Sequence, residues 1–182
     1  MTLYLALLRG INVGGRSRVP MKELAAAMQS NGYDNVTSYL QTGNVFFESE
    51  QTDVNELASD LQELILTEFG TTTPVVIRTS DQYGAASTTH PFGDHEDDFK
   101  KLHVMFLDLE PEPAAIEGLD SDRSPGDSFR VDGREIYLHL PNGAGRTKLT
   151  IDYFERCLGV VATGRNWNTV QTLRSMMETR AD

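Results

Sequence analysis

Apolar positions along this chain fall into short blocks whose spacing alternates between that of a strand and that of a helix. Residues 3–8 form an unbroken apolar block ending at Arg9-Gly10 and read as a strand. After Pro20, residues Met21, Leu24, Ala25 and Met28 share one helical face, and Gly32 ends that helix. Residues 36–40 and 45–48 are strand-like and are split by Gln41-Thr42-Gly43-Asn44, a turn composition. Asp53 with Glu56 predicts a capping box, and Val54, Leu57, Leu61, Leu64 and Ile65 line the helix that follows, which stops at Gly70. Residues 74–78 add a further strand, giving the order βαββαβ.

The same order returns in the second half. Residues 102–109 are strand-like, and a short helix is expected at 113–118. Residues 128–131 and 135–140 flank Asp132-Gly133, a hairpin turn. Leu149, Phe154, Cys157 and Leu158 give a helical face ended by Gly159, which predicts a buried Cys157 thiol. Residues 160–163 form a last strand, and Val170, Leu173 and Met177 line a last helix. The pattern predicts an α+β fold, a tandem duplication of two ferredoxin-like βαββαβ units with an extra C-terminal helix. The expected division is 1–79 for the first unit, 80–100 for an acidic polar linker running as a surface loop, and 101–182 for the second unit with its helix.

This topology places the informative residues. In a βαββαβ unit the loop after the first strand and the turn between the second and third strands lie at one end. RGINVGGRSR (9–18) and QTGN (41–44) are therefore expected to be neighbours. In the second half the same logic groups PNGAGRTK (141–148) with GRNWN (164–168). The combination of LRGINVGG, SYLQTGNVFF, LPNGAGRTKLT and ATGRNWNTV resembles the bacterial family catalogued as DUF 1697, over residues 3 to about 173. The resemblance implies a duplicated α+β arrangement and brings no activity, substrate or cofactor with it.

Composition then narrows the chemistry. The formal net charge is −11, which repels phosphate backbones and makes nucleic acid an unlikely partner. No run approaches the roughly 18 apolar residues of a membrane span, and the N-terminus reads as a strand rather than a signal peptide. The single cysteine excludes an internal disulfide and fits a cytoplasmic location. Against this acidic background the four motifs gather the cations and amides.

Three readings follow. In the first, Arg9, Asn12, Gly14, Gly15, Gln41, Asn44, Arg146, Lys148, Arg165, Asn166 and Trp167 bind a small anionic or nucleotide-like ligand in a pocket between the halves. Arginines would neutralise charge, asparagines would supply directional hydrogen bonds, glycines would open the backbone to an anion, and Trp167 would stack on a flat group. In the second, the protein is a non-catalytic interaction protein and the motifs serve only to hold its halves together. In the third, Tyr4 and Phe46 lie on an exposed sheet face that takes single-stranded nucleic acid. GAGRTK lacks the spacing of a P-loop, and RGINVGG that of a dinucleotide fingerprint. His90, Asp94, His95 and Glu96 fit no standard metal spacing. No cofactor, metal site or catalytic residue is identified, and the oligomeric state is left open.

Overall fold

The computed structural model describes residues 1–12 and 18–181. The chain folds as two units, Met1–Ala85 together with the last residues from Met176 onward, and Ala86–Ser175. The cut falls inside the stretch read as a linker.

In the first unit the chain runs β1 (Thr2–Leu8), α1 (Met21–Ser30), β2 (Asp34–Tyr39), β3 (Asn44–Ser49), α2 (Val54–Phe69) and β4 (Val75–Thr79), followed by α3 (Ser80–Ala86). Its antiparallel sheet has the order β2-β3-β1-β4. The unbroken apolar run of β1 is explained by burial on both faces. Tyr4, Ala6 and Leu8 join a core with Leu24, Met28, Leu57, Leu61 and Ile65 of the two helices. Leu5 and Leu7, on the other face, are also fully buried. Each such leucine contributes about 1.5–3 kcal/mol. Tyr4 stacks on Phe47 at 5.4 Å, and Tyr33 meets the same ring edge-on. The Arg180 guanidinium lies 4.8 Å over the ring of Phe46.

Helix α2 begins as its sequence dictates but with a different partner. Asp53 accepts from the Asn55 and Glu56 N–H groups. The reciprocal half of the expected capping box is taken by Gln51, whose Oε1 accepts from Asp53 N at 2.9 Å while its Nε2 donates to Glu56. Gly70 ends the helix at φ 63°.

The second unit contains β5 (Leu102–Leu107), α4 (Pro113–Glu117), β6 (Ser128–Asp132), β7 (Glu135–His139), α5 (Ile151–Leu158), β8 (Ala162–Asn166) and the start of α6 (Trp167–Ala181). The sheet order is β6-β7-β5-β8, again antiparallel. Its core joins Met105, Leu107, Ile136, Leu138, Tyr153, Phe154 and Ala162. The two sheets have the same strand order, so the duplication of two ferredoxin-like units with a final helix is what the chain adopts.

Three expectations are corrected here. The last strand runs on through Gly164, Arg165 and Asn166, because their backbones pair with Met105, Val104 and His103. Those residues are therefore not a loop. Cys157 is exposed, since the stripe that α5 buries is Tyr153, Phe154 and Leu158. The segment read as a surface loop holds α3 and two single 3-10 turns, and it buries Tyr83, Ser87 and His90. Among the described residues no helix is long and apolar enough to cross a membrane.

Candidate functional site

In the first unit the end of β1 and the β2–β3 turn meet, as the topology requires. Leu8 N donates to Gly43 O at 2.8 Å. Arg9 N donates to Pro74 O at 3.0 Å, and Arg9 O accepts from Thr73 Oγ1 at 2.6 Å. Asn12 Nδ2 donates to Val19 O at 2.8 Å and to Gln41 O at 2.7 Å, while its Oδ1 accepts from Val19 N at 3.0 Å. One side chain thus closes the base of the loop and ties it to the neighbouring turn. Both amide hydrogens of Asn12 are spent on this. Asn44 is fully buried and donates to Tyr39 O at 2.9 Å, so it too works within the fold. Gly14 and Gly15 lie outside the described residues.

The backbone of this end is unusual. Gly10, Asn12, Leu40 and Gly43 all have positive φ, at 65°, 56°, 59° and 87°. For Leu40 this is a sterically costly conformation, and its side chain is half exposed. At Gly43 nothing larger fits, because an added Cβ would come within 2.6 Å of Leu8 Cβ.

This end also gathers cations in an acidic chain. From Arg9 to Lys22 the sequence holds Arg9, Arg16, Arg18 and Lys22 and no acidic residue, in a chain of net charge −11. Arg18 and Lys22 are exposed. Helix α1 starts from Pro20, which makes no side-chain cap bond, and its N-terminal dipole adds to the charge of Arg18 and Lys22, partly offset by the Glu23 carboxylate in the same turn.

In the second unit, the 141–148 loop and the end of β8 fall at one end of the sheet. Leu102 pairs with His139, His103 pairs with Asn166, and Leu140 N donates to Lys101 O. Arg146 and Lys148 are exposed. Asn166 Oδ1 accepts from Thr169 N at 2.8 Å and caps α6. Arg165 Nη1 donates to Thr163 Oγ1 at 2.9 Å and Gly164 O at 2.8 Å. Trp167 is 4% exposed, with the His90 ring edge-on at 5.0 Å. It is a core residue here, not an open stacking surface.

Sequence reasoning missed the company Trp167 keeps. His90 meets Tyr137 edge-on at 5.3 Å, and His90 Nε2 lies 3.1 Å from His103 O. Tyr137 donates to Ala86 O, and burial, aided by Glu135 and Asp132, pushes its hydroxyl up to about 12. Burial lowers the pKa of His90 and of His103. Beside them Phe92 stacks on His139, and His139 Nε2 lies 3.0 Å from Glu96 Oε2. His139, the Asp98 N–H and Lys101 together hold the Glu96 carboxyl down to about 2. Among the described residues no group of three or more His, Cys, Asp or Glu is placed to hold a metal ion. Tyr4 and Phe46 are 1% and 0% exposed, so neither offers a base a stacking face.

Residues 1–137 match the family described as "Protein of unknown function (DUF1697)". The chain belongs to the DUF1697 family. It is similar in structure to the conserved bacterial protein SP0830 from Streptococcus pneumoniae, with a TM-score of 0.71 and 21% identity over 97% of this chain and 98% of that one. At that identity the likeness establishes the shared fold of this DUF1697 protein. No curated protein matches the chain. Of the residues picked from sequence, Arg9, Asn12, Gln41 and Asn44 are brought together in the first unit. Arg146, Lys148, Arg165, Asn166 and Trp167 belong to the second.

Proposed function

We propose that this DUF1697 protein binds a small anionic ligand at the connector end of its first unit. Arg9, Arg18 and Lys22 supply charge, and the first turn of α1 supplies backbone N–H donors. Gly14 and Gly15 would let the backbone approach the anion. The observation that carries the reading is the run of cations without an acid from Arg9 to Lys22, on a loop whose base Asn12 fixes. A preformed base lowers the ordering cost of binding. Arg146 and Lys148 are exposed cations of the second unit. No reaction is assigned.

The test is a thermal-shift series on the full chain with pyrophosphate, citrate and nucleoside triphosphates. A ligand at 100 times its dissociation constant stabilises by about 2.7 kcal/mol. Arg18→Ala and Lys22→Ala, both at exposed positions, should reduce that shift while leaving the unliganded melting temperature in place. No shift with any of the anions, or an equal shift in both variants, rules the proposal out.

A second reading is favoured by the employment of the motif amides. Asn12, Asn44 and Asn166 all bond within their own units, which is what motifs that serve the fold alone would do. On that reading the protein is a non-catalytic interaction protein whose motif amides serve the fold of each unit, where the sequence alone leads one to expect them to hold the two halves together. Asn12→Ala would then lower stability while no anion alters it.

A further inference from the structure

We propose that the groove between α4 and the edge strand β6 receives an extended, basic segment of a partner protein, which adds to the second sheet as an outer strand. The groove has a volume of about 390 Å³ and is lined by Ile116, Leu119, Ser121, Asp127, Ser128 and Phe129. Ile116, Leu119 and Phe129 are half-buried against the unit's core, so its floor is apolar.

Strand β6 is an edge of its sheet, with β7 on one side only. Every second residue of such a strand turns its N–H and C=O away from the sheet, and these are the groups an added strand pairs with. Its register with β7 is regular from Ser128 to Asp132. The equivalent edge of the first unit, β2, is different: a register shift between Asp34 and Thr37, with Asn35 at φ 49°, disrupts it. Bulges protect edges from pairing, and β6 has no such protection. An added strand alternates its side chains, so one set enters the groove beside Phe129 and the other faces away.

Charge selects the occupant. Between Ile116 and Ser128 the chain carries Glu117, Asp120, Asp122 and Asp127 against one cation, Arg123. Arg123 is turned onto the Tyr153 ring, 4.1 Å from its centroid, and donates to Lys148 O. Arg130, the cation of β6 itself, alternates onto the face opposite Phe129. A second copy of this chain would bring the same acids to the same rim, and like charges would oppose it; a lysine- or arginine-bearing strand is drawn in. The rim is also preformed. Ser124 Oγ donates to Asp127 Oδ2 at 2.6 Å, Lys148 N donates to Ser124 Oγ, and Asp120 N donates to the Tyr153 hydroxyl.

The test uses the full chain and a fluorescein-labelled peptide of alternating lysine and valine, six residues long, followed by anisotropy at low salt. Saturable binding is expected. Ser121→Trp fills the groove from an exposed position and should abolish it. Glu117→Lys with Asp122→Lys, also exposed, should weaken it by about tenfold or more. A peptide N-methylated at alternate residues keeps its charge, loses its strand bonds and should not bind. Melting temperatures confirm that the variants remain folded. Absent saturation, or binding indifferent to Ser121→Trp and to N-methylation, overturns the proposal. A dimer in sedimentation that Ser121→Trp dissolves also overturns it, in favour of a second copy as the occupant.

Discussion

Gly43 offers the sharpest test of how the first unit's connector end is built. It sits at φ 87°, and a Cβ there would lie 2.6 Å from Leu8 Cβ and 3.0 Å from Ile11 Cδ1. Leu8 and Ile11 are both fully buried, and Leu8 Cβ is too near the backbone to swing aside. Gly43 O also accepts the Leu8 N–H, so the turn cannot move away without losing that bond. Gly70 is the control. It has φ 63° and nothing within 4 Å of an added Cβ, so alanine there meets only the left-handed conformation. That costs about 1–2 kcal/mol. Gly43→Ala adds an overpacking cost of about 1–3 kcal/mol, for a total of about 2–5 kcal/mol. At about 2–4 °C per kcal/mol for a chain of this size, Gly43→Ala should melt about 2–12 °C below Gly70→Ala by calorimetry. Equal melting temperatures for the two variants would refute the packing argument.

Other consequences are as open to measurement. Asn12→Ala strands the Val19 N–H and two carbonyls, and should cost about 1–3 kcal/mol in chemical denaturation. Glu96 has a folded pKa of about 2 against its ordinary 4.5, so its contribution to stability is complete above pH 4.5 and is lost as pH falls toward 2. Glu96→Gln should flatten the stability profile across that window. His90 and His103 both have lowered pKa values, so their contributions hold above the ordinary 6.5 and are lost as pH falls below it. His90→Phe should shrink that step and leave the share of His103, followed through the fluorescence of Trp167 beside His90. Cys157 is exposed and should react with a thiol reagent in the native state without a lag set by unfolding.

Much of this fold could be read from the chain because local rules and tertiary packing agree. The helix stops at Gly32 and Gly70, the Asp132-Gly133 hairpin and the apolar faces of α1 and α2 are all local signals that the packing left in place. Where the two diverge, register and neighbours decide. Gly164, Arg165 and Asn166 are too polar to look like strand residues, yet β5 supplies their pairing partners. His90 lies in an acidic, polar stretch, yet its ring is buried because Trp167, Tyr137 and the His103 carbonyl meet it from distant parts of the chain. Apolar spacing identifies a stripe but not its width, and the stripe of α5 stops short of Cys157. The candidate site was legible as a gathering of RGIN and QTGN. What each amide does there was not, since Asn12 as a loop staple and Asn12 as a ligand donor have the same sequence signature.

The central claim concerns the basic end of the first unit, and amide NMR on the full chain with added pyrophosphate tests it most directly. Saturable shifts centred on Arg9, Gly10, Arg18, Met21 and Gln41 are the predicted result. Shifts that never saturate, or that centre on Arg146 and Lys148 while the first unit stays silent, would contradict it.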